Sequence, residues 1–216
     1  MLGQLRLNMS QEVTLRVRAN VYRLFGTLFL AEPTDEILEI LHMDETWDIF
    51  ADFAPAEGLS GLRERVQGKA FPSETIRLEY PRLFSAPTGS YVFPYESCYS
   101  VPEPPGPLMG PAAIAVVSAY AESGFEVSLD FRDAPDHLGV EFRFVAELLD
   151  RQAQALEDGD AVSSAKFAEL RIRFCREHLS QWVGKLADRI ATSPGSVFFP
   201  ELSALAREIV VAEAST

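Results

Sequence analysis

The chain has 216 residues, of which 47% are hydrophobic, so it is long enough to bury one core of ordinary size. It carries 32 acidic and 19 basic residues, a formal net charge of −13. This excess of acid argues against a nucleic-acid partner, because phosphate backbones are bound by basic patches. The charge is compatible with a basic ligand, such as an arginine-bearing peptide, and equally with a role in solubility alone.

The cysteines and the apolar segments indicate the cellular compartment. Cys98 and Cys175 lie far apart in the sequence, which predicts reduced thiols and neither a disulfide scaffold nor a four-cysteine zinc site. No stretch reaches the ~18 consecutive apolar residues of a membrane span. Residues 1–13 lack the apolar core and the cleavage site of a secretory signal. We therefore expect a cytoplasmic protein with no membrane span.

Helical periodicity dominates the first part of the chain. Apolar residues recur at helical spacing from Val13 to Phe29, Ser10 is a suitable N-cap, and Pro33 follows the last apolar position. Similar patterns predict several shorter helices. The helices expected in this half cover residues 10–30, a segment that opens at Pro33-Thr34-Asp35, and residues 45–53, 58–67 and 73–84.

A proline-rich loop follows. Seven of the chain's 14 prolines lie between residues 87 and 111, a density that excludes a helix. Four aromatic residues in the same interval argue against disorder. We predict one domain in which two helical halves, about 10–86 and 111–212, are joined by an ordered hinge loop at 87–110 that crosses the surface as a strap.

The second half is also predicted to be helical. Pro111 suits the first turn of a helix, and Gly124 suits the position after its last residue. Residues 125–131 alternate apolar and polar side chains, but no partner strand is evident, so we expect an extended connector. Later helices are expected over residues 136–159, 163–190 and 200–211. The predicted fold is therefore an all-α helical bundle.

The stretch Asp133-Ala134-Pro135-Asp136-His137-Leu138 places two carboxylates and a histidine at the start of the 136–159 helix. Asp136 is the expected N-cap, and His137 shares a helix face with Glu141, four residues later. Three interpretations remain open at this point. The group could support acid–base catalysis, could bind a basic ligand, or could be a capped helix whose histidine bonds a neighbouring loop.

Other chemistry is missing from the sequence. There is no phosphate-binding glycine loop, no dinucleotide fingerprint after a strand and no G-x-S-x-G elbow. The three histidines are His42, His137 and His178, and the pair Cys175 and His178 supplies only two of the ligands that a zinc site requires. We therefore predict no metal and no cofactor, while the catalytic interpretation of residues 133–141 stays open.

The Asp-x-Pro-Asp-His stretch resembles the signature of the TorD-like (TorD/DmsD/NarJ) chaperones of molybdoenzyme maturation, although many relatives have Glu where this chain has Asp133. Three further blocks agree in order and rough spacing: Tyr80–Phe84, Pro94–Tyr99 and Leu108–Pro111. A weaker match comprises Phe174, His178 and Trp182. The resemblance spans roughly residues 12–200.

The resemblance implies a cytoplasmic chaperone rather than an enzyme. Such a protein would bind the twin-arginine leader, the apo form of a molybdopterin-dependent oxidoreductase, or both, and would delay export until the cofactor is inserted. An aromatic groove beside carboxylates would suit a peptide with arginines followed by an apolar run. The candidate peptide-binding residues are Tyr80, Leu83, Phe84, Tyr95, Glu96, Gly110, Asp133, Asp136, His137 and Glu141.

Two alternatives belong to other classes. The chain could be a small nucleotide-binding or hydrolytic protein, although nothing in it cradles phosphate, or a structural subunit of an oxidoreductase complex. For the oligomeric state, the loop at 87–110 is a possible hinge for exchanging halves between protomers. We expect mainly monomer with a minor, slowly exchanging dimer.

Overall fold

The computed structural model describes residues 2–51, 56–68, 73–85, 91–128 and 130–216, and the side chains of all these except 2–10 and 56–58. These residues form helices and connecting segments without a strand, so the predicted all-α bundle is confirmed. The helices are α1 (Leu2–Leu30), α2 (Asp35–His42), α3 (Asp44–Ala51), α4 (Ala56–Gln67), α5 (Ser73–Tyr80), α6 (Glu96–Tyr99), α7 (Pro111–Ser123), α8 (Leu138–Glu157), α9 (Ala161–Phe174), α10 (Ser180–Ala191) and α11 (Phe198–Ala214).

Helices α1 and α8 form the most extensive helix pair of the bundle. They approach closely at two glycines, where a Cβ on Gly139 would lie 2.6 Å from the Gly26 carbonyl oxygen and 2.3 Å from Cγ of Leu30. A side chain at this crossing would therefore collide with backbone. Since α1 precedes the proline-rich loop and α8 follows it, this contact joins the two parts of the chain.

One buried core includes side chains from both sides of the proline-rich loop. Phe29 of α1 contacts Phe142 of α8 and Phe199 of α11, with ring centroids 6.2 and 6.0 Å apart. Aromatic pairs at these distances stabilise a core beyond the area they bury. The two predicted halves therefore share one core. Their division around a hinge loop remains a prediction.

Two predicted helix starts are wrong. Helix α1 begins at Leu2, so Ser10 lies inside the helix and is not its N-cap. Helix α11 begins at Phe198 rather than at Pro200, because the buried Glu79 carboxylate accepts hydrogen bonds from the backbone amides of residues 197–199. A carboxylate from a distant helix thus takes the place of a local cap.

Two helices widen into a π-helical turn along their length. Residues Pro81–Ser85 continue α5, since Pro81 has no N–H to give to the preceding turn and its ring crowds the carbonyl there. Residues Cys175–Leu179 connect α9 to α10 within the helix predicted over 163–190. Such widened turns change which side chains face the core.

The described part of the proline-rich loop, residues 91–110, is called the strap below; residues 87–90 lie outside the described part of the chain. It contains the short helix α6, whose four residues are all buried. The amide of Val92 donates to the carbonyl of Leu83, and the amide of Gly106 donates to that of Cys98. Residues 125–128 form neither helix nor strand, and residue 129 of the predicted connector lies outside the described part of the chain.

Candidate functional site

The strap lies directly against the segment 133–138, which is called the motif segment below. The amide of Leu138 donates to the carbonyl of Pro94 at 2.8 Å, and the amide of Glu96 donates to the carbonyl of Asp136 at 3.0 Å. These bonds form an antiparallel bridge between Tyr95 and His137. Two of the sequence blocks that carried the family resemblance therefore pack against each other.

Asp136 does not cap α8, so the N-cap predicted from the sequence is wrong. Its Oδ2 accepts a hydrogen bond of 2.8 Å from the amide of Ser97, in the first turn of α6. The side chain is completely buried, and its Oδ1 has no hydrogen-bond partner among the described residues. The carboxylate therefore stabilises a four-residue helix in the strap, which is too short to be stable alone.

His137 occupies the N-cap position of α8 instead. Its backbone is extended, and its Nδ1 accepts a hydrogen bond of 3.0 Å from the amide of Gly139. This bond requires Nδ1 to be unprotonated. Burial lowers the pKa of His137 to about 4, although the charge of Asp133 acts in the opposite direction. The imidazole is therefore neutral at pH 7 and acts as a capping group.

Tyr95 connects the strap to Asp133. Its hydroxyl lies 2.9 Å from each carboxylate oxygen of Asp133, and its ring meets the imidazole of His137 edge to face at 5.2 Å. Burial and the Asp133 carboxylate both raise the pKa of Tyr95, so the phenol keeps its proton and donates. Asp133 is exposed, in contrast to Asp136 and His137.

A buried acid network also contacts the strap, at Glu96. Nδ1 of His178 lies 3.0 Å from Oε2 of Glu96, and the indole N–H of Trp182 donates to Oε2 of Glu141 at 3.2 Å. Burial, and next the charge of Glu96, raise the pKa of Glu141 far above its ordinary value. Glu141 therefore holds a proton, which it can donate to Glu96. Strap, α8 and the π-helical turn meet here through polar groups.

These groups are arranged to hold the strap in place rather than to catalyse a reaction. His137 is buried and neutral with its Nδ1 already bonded, so it is a poor general base at neutral pH. Within the described ranges, no group of three or more His, Cys, Asp or Glu side chains is placed to hold a metal ion.

The aromatic part of the predicted site packs into the core from α5 and the π-helical turn that follows it, where Leu83 bonds Val92 of the strap. Tyr80 and Phe84 pack against each other at 5.4 Å and against Phe199 at 6.1 and 5.2 Å. The Tyr80 hydroxyl donates to the carbonyl of Phe29, and burial raises the pKa of Tyr80 to about 12. With Leu83 also fully buried, these side chains belong to the core.

Gly110 is the N-cap of α7 and lies beside Ser97 of α6, whose amide binds Asp136. A Cβ there would be 3.7 Å from its nearest neighbours, so the structure does not require glycine for space. Of the ten candidate residues, Asp133 is exposed, Gly110 is partly exposed, and the others are buried.

Three buried residues that the candidate set omitted support the motif segment. His178 and Trp182 contact the acid network, and Tyr120 of α7 donates its hydroxyl to the carbonyl of Pro135 at 3.0 Å. His178 and Trp182 carried a weak signal in the sequence, because residues four apart share a helix face. Tyr120 carried none, since its role depends on the approach of α7 to the motif segment.

The chain belongs to the nitrate reductase delta subunit family, whose sequence profile matches residues 51–188. This match covers most of the chain and, together with its relatives, confirms the TorD-like assignment. Since its relatives are chaperones, the chain is a chaperone-type protein rather than an enzyme.

Its curated relatives include the chaperone protein TorD of Shewanella loihica, 25% identical over 199 residues that make up 88% of each chain. TorD of Vibrio cholerae is 24% identical over 80% of this chain and 79% of its own. A solved structure described as a redox enzyme maturation protein, from Archaeoglobus fulgidus, has the same fold with a TM-score of 0.52. It is 20% identical and aligns over 90% of this chain and 93% of its own. No helix in the described ranges is both long and apolar enough to span a membrane.

Proposed function

We propose that this protein is a cytoplasmic chaperone for a molybdopterin-dependent oxidoreductase, which binds the apo form and the twin-arginine leader of that client. The observation that carries the proposal is the similarity to TorD chaperones along 88% of the chain. The net charge of −13 supports it, since a leader presents arginines. Binding would hold the client until its cofactor is inserted and so delay its export.

Within the candidate site, we assign two different roles. Asp133 is exposed and beside Tyr95, so it is the carboxylate best placed to meet an arginine of the leader. Asp136, His137 and Glu96 are buried and hold the strap in position. The aromatic residues shape the core beneath the strap. A peptide that contacted the buried groups would first have to displace the strap.

Two measurements test the function. Capture from native cytoplasm should retrieve a molybdoenzyme in its cofactor-free form, identified by mass spectrometry and molybdenum analysis. Titration with the leader of that enzyme should show binding that weakens when the arginine pair is replaced by lysine, since lysine lacks the planar fork of donors. Capture of mature enzyme alone would contradict the proposal.

Asp133→Asn tests the carboxylate. An exposed charge pair contributes about 0.2–1 kcal/mol, so the variant should bind the leader up to about fivefold more weakly than wild type. This difference should become smaller at high salt. Asp158→Asn, at an exposed aspartate that follows the other end of α8, is the matched control. Phe84→Ala is unsuitable, because truncating a buried phenylalanine costs about 3–5 kcal/mol of folding stability.

The family description favours one alternative, a subunit that remains in the mature enzyme complex, because it refers to a delta subunit. Size-exclusion chromatography of the native complex distinguishes the two functions. A chaperone should leave the client when the cofactor is inserted, whereas a subunit should elute with the mature enzyme at fixed stoichiometry.

A further inference from the structure

An exposed apolar surface flanks Gly110, the candidate residue at the start of α7. Leu108 and Met109 are 47% and 60% exposed, and Ile114 and Val117 on α7 are 69% and 46% exposed. These four residues are called the apolar face below. They account for a large share of the exposed large hydrophobic side chains in the described chain, although they lie within ten consecutive residues. A concentration of exposed apolar side chains is typical of an interaction surface.

Helical geometry explains why this face of α7 stays outside. Ala113, Val116 and Tyr120 point into the protein and are buried. Ile114 and Val117 lie on a flank that this packing leaves uncovered, as does Ala121. The first eleven residues of α7, from Pro111 to Ala121, contain no charged side chain. A surface helix of a monomer ordinarily has a charged outer face, so this one is unusual.

The turn before α7 adds a second observation. Met109 has a φ of 60°, in the left-handed region that residues other than glycine, asparagine and aspartate seldom adopt. The backbone therefore holds a strained conformation in which the Met109 side chain extends into solvent. Strain of this kind is concentrated at functional positions. A methionine side chain also adapts its shape to different apolar partners.

The charged residues in the same stretch of the sequence indicate the partner's chemistry. Between Arg82 and Arg132 the sequence contains no lysine, arginine or histidine, and its charged residues are Glu96, Glu103, Glu122, Glu126 and Asp130. Glu122 is paired with Arg173 of α9, whereas Glu103 and Glu126 are exposed and neither forms an ion pair with another described residue. A surface that combines apolar and acidic groups is complementary to a segment that combines apolar and basic ones.

We propose that the apolar face binds the apolar run of the client's twin-arginine leader, with the leader's basic residues directed towards the acidic residues that flank it. This inference rests on the function proposed above and specifies which surface is used. Helix α7 is about 20 Å long at 1.5 Å per residue, so it offers space for an apolar run of two to three helical turns. The leader would thus bind without displacing the strap.

The test compares Ile114→Ser and Val117→Ser, singly and together, with matched controls. Val162→Ser on α9 and Val211→Ser on α11 remove valines that are 82% and 51% exposed elsewhere on the surface. The probes are two synthetic peptides. One carries an arginine pair followed by an apolar run of leucine and alanine, and the other has serine and glycine in place of that run. Binding is followed by fluorescence anisotropy, and folding by thermal denaturation.

We expect the double variant to bind the apolar peptide at least about tenfold more weakly, the controls to bind within twofold of wild type, and the serine-glycine peptide to bind weakly throughout. Equal binding by all variants would overturn this inference and leave the proposed function standing. If wild type bound neither peptide, leader recognition itself would fail and this inference with it. A wild-type dimer that dissociates in the double variant would identify the face as a self-association surface and overturn the inference.

Discussion

His137 shows how one residue couples acidity to folding. Its ring is buried and neutral, with a pKa of about 4, whereas an unfolded histidine titrates near 6.5. Between these values the unfolded chain binds more protons than the folded one, so this residue makes the protein less stable as the pH falls from 6.5 towards 4. Glu141 acts with the opposite sign, because its raised pKa makes folding less favourable as the pH rises above about 4.5.

We expect the titration of His137 to lower the free energy of unfolding by about 2 kcal/mol when the pH falls from 7.5 to 5. His137→Asn isolates it, since asparagine can also cap a helix but does not titrate in this range. Urea unfolding at both pH values should show the variant losing less stability than wild type on acidification. Because Glu141 is present in both proteins, its contribution cancels in the comparison. An identical loss in both proteins would contradict the buried, neutral state of His137.

The exchange of roles between Asp136 and His137 also marks the limit of prediction at this scale. Two adjacent residues, both able to cap a helix, preceded α8, and local rules favoured the aspartate. The structure assigns the cap to the histidine, because the Asp136 carboxylate is used by the amide of Ser97 from a distant part of the chain. The sequence of the motif segment itself does not indicate that Asp136 bonds the amide of Ser97.

At the scale of helices, the crossing of α1 and α8 depends on two small residues. Gly139→Ala should destabilise the protein by about 1–3 kcal/mol, because the added Cβ would lie 2.6 Å from the Gly26 carbonyl oxygen. Gly61→Ala is the matched control: it lies within α4, and a Cβ there meets nothing within 4 Å. That substitution should stabilise by about 0.5–1 kcal/mol. Chemical denaturation of both variants measures the difference, and equal effects would contradict the close crossing.

The pair of His178 and Glu96 should govern how firmly the strap is held. His178→Ala removes the partner of a buried carboxylate, which costs about 1–3 kcal/mol. We expect the amides of α6 to exchange with deuterium at least about tenfold faster in this variant, as local opening becomes easier. His42→Ala, at an exposed histidine, should leave their exchange unchanged. If exchange in α6 were equally slow in both variants, the strap would be held by other contacts.

The fold class and most helices followed from apolar periodicity and from proline and glycine, as in α7, which begins at Pro111 and ends before Gly124. Two errors arose where contacts with distant parts of the chain determined the outcome. The start of α11 depends on Glu79, and the π-helical turn at 175–179 depends on packing that local spacing does not reveal. The resemblance brought together the blocks that meet at the strap, but it did not reveal that they face inward.

At the scale of the whole molecule, the strap crosses between parts of the chain that share one core. A swapped dimer would form the contact of α1 with α8 between protomers, and that contact is extensive, so exchange should be slow. We expect light scattering over a concentration series to detect mainly monomer, with a dimer fraction that grows with concentration and persists after dilution. A single species at every concentration would exclude the dimer.

The fluorescence of Trp182 should report on the position of the strap. Its indole stacks on Tyr99 of the strap with centroids 5.7 Å apart, and it lies completely buried beside Glu141. The other tryptophan, Trp47, contacts the carbonyl of Leu41 in the first half of the chain. In a Trp47→Phe protein, the remaining fluorophore would report on the strap alone. If Tyr99 moved away, water would reach the indole and its emission would shift to longer wavelength. The intrinsic fluorescence of the chain would therefore detect displacement of the strap.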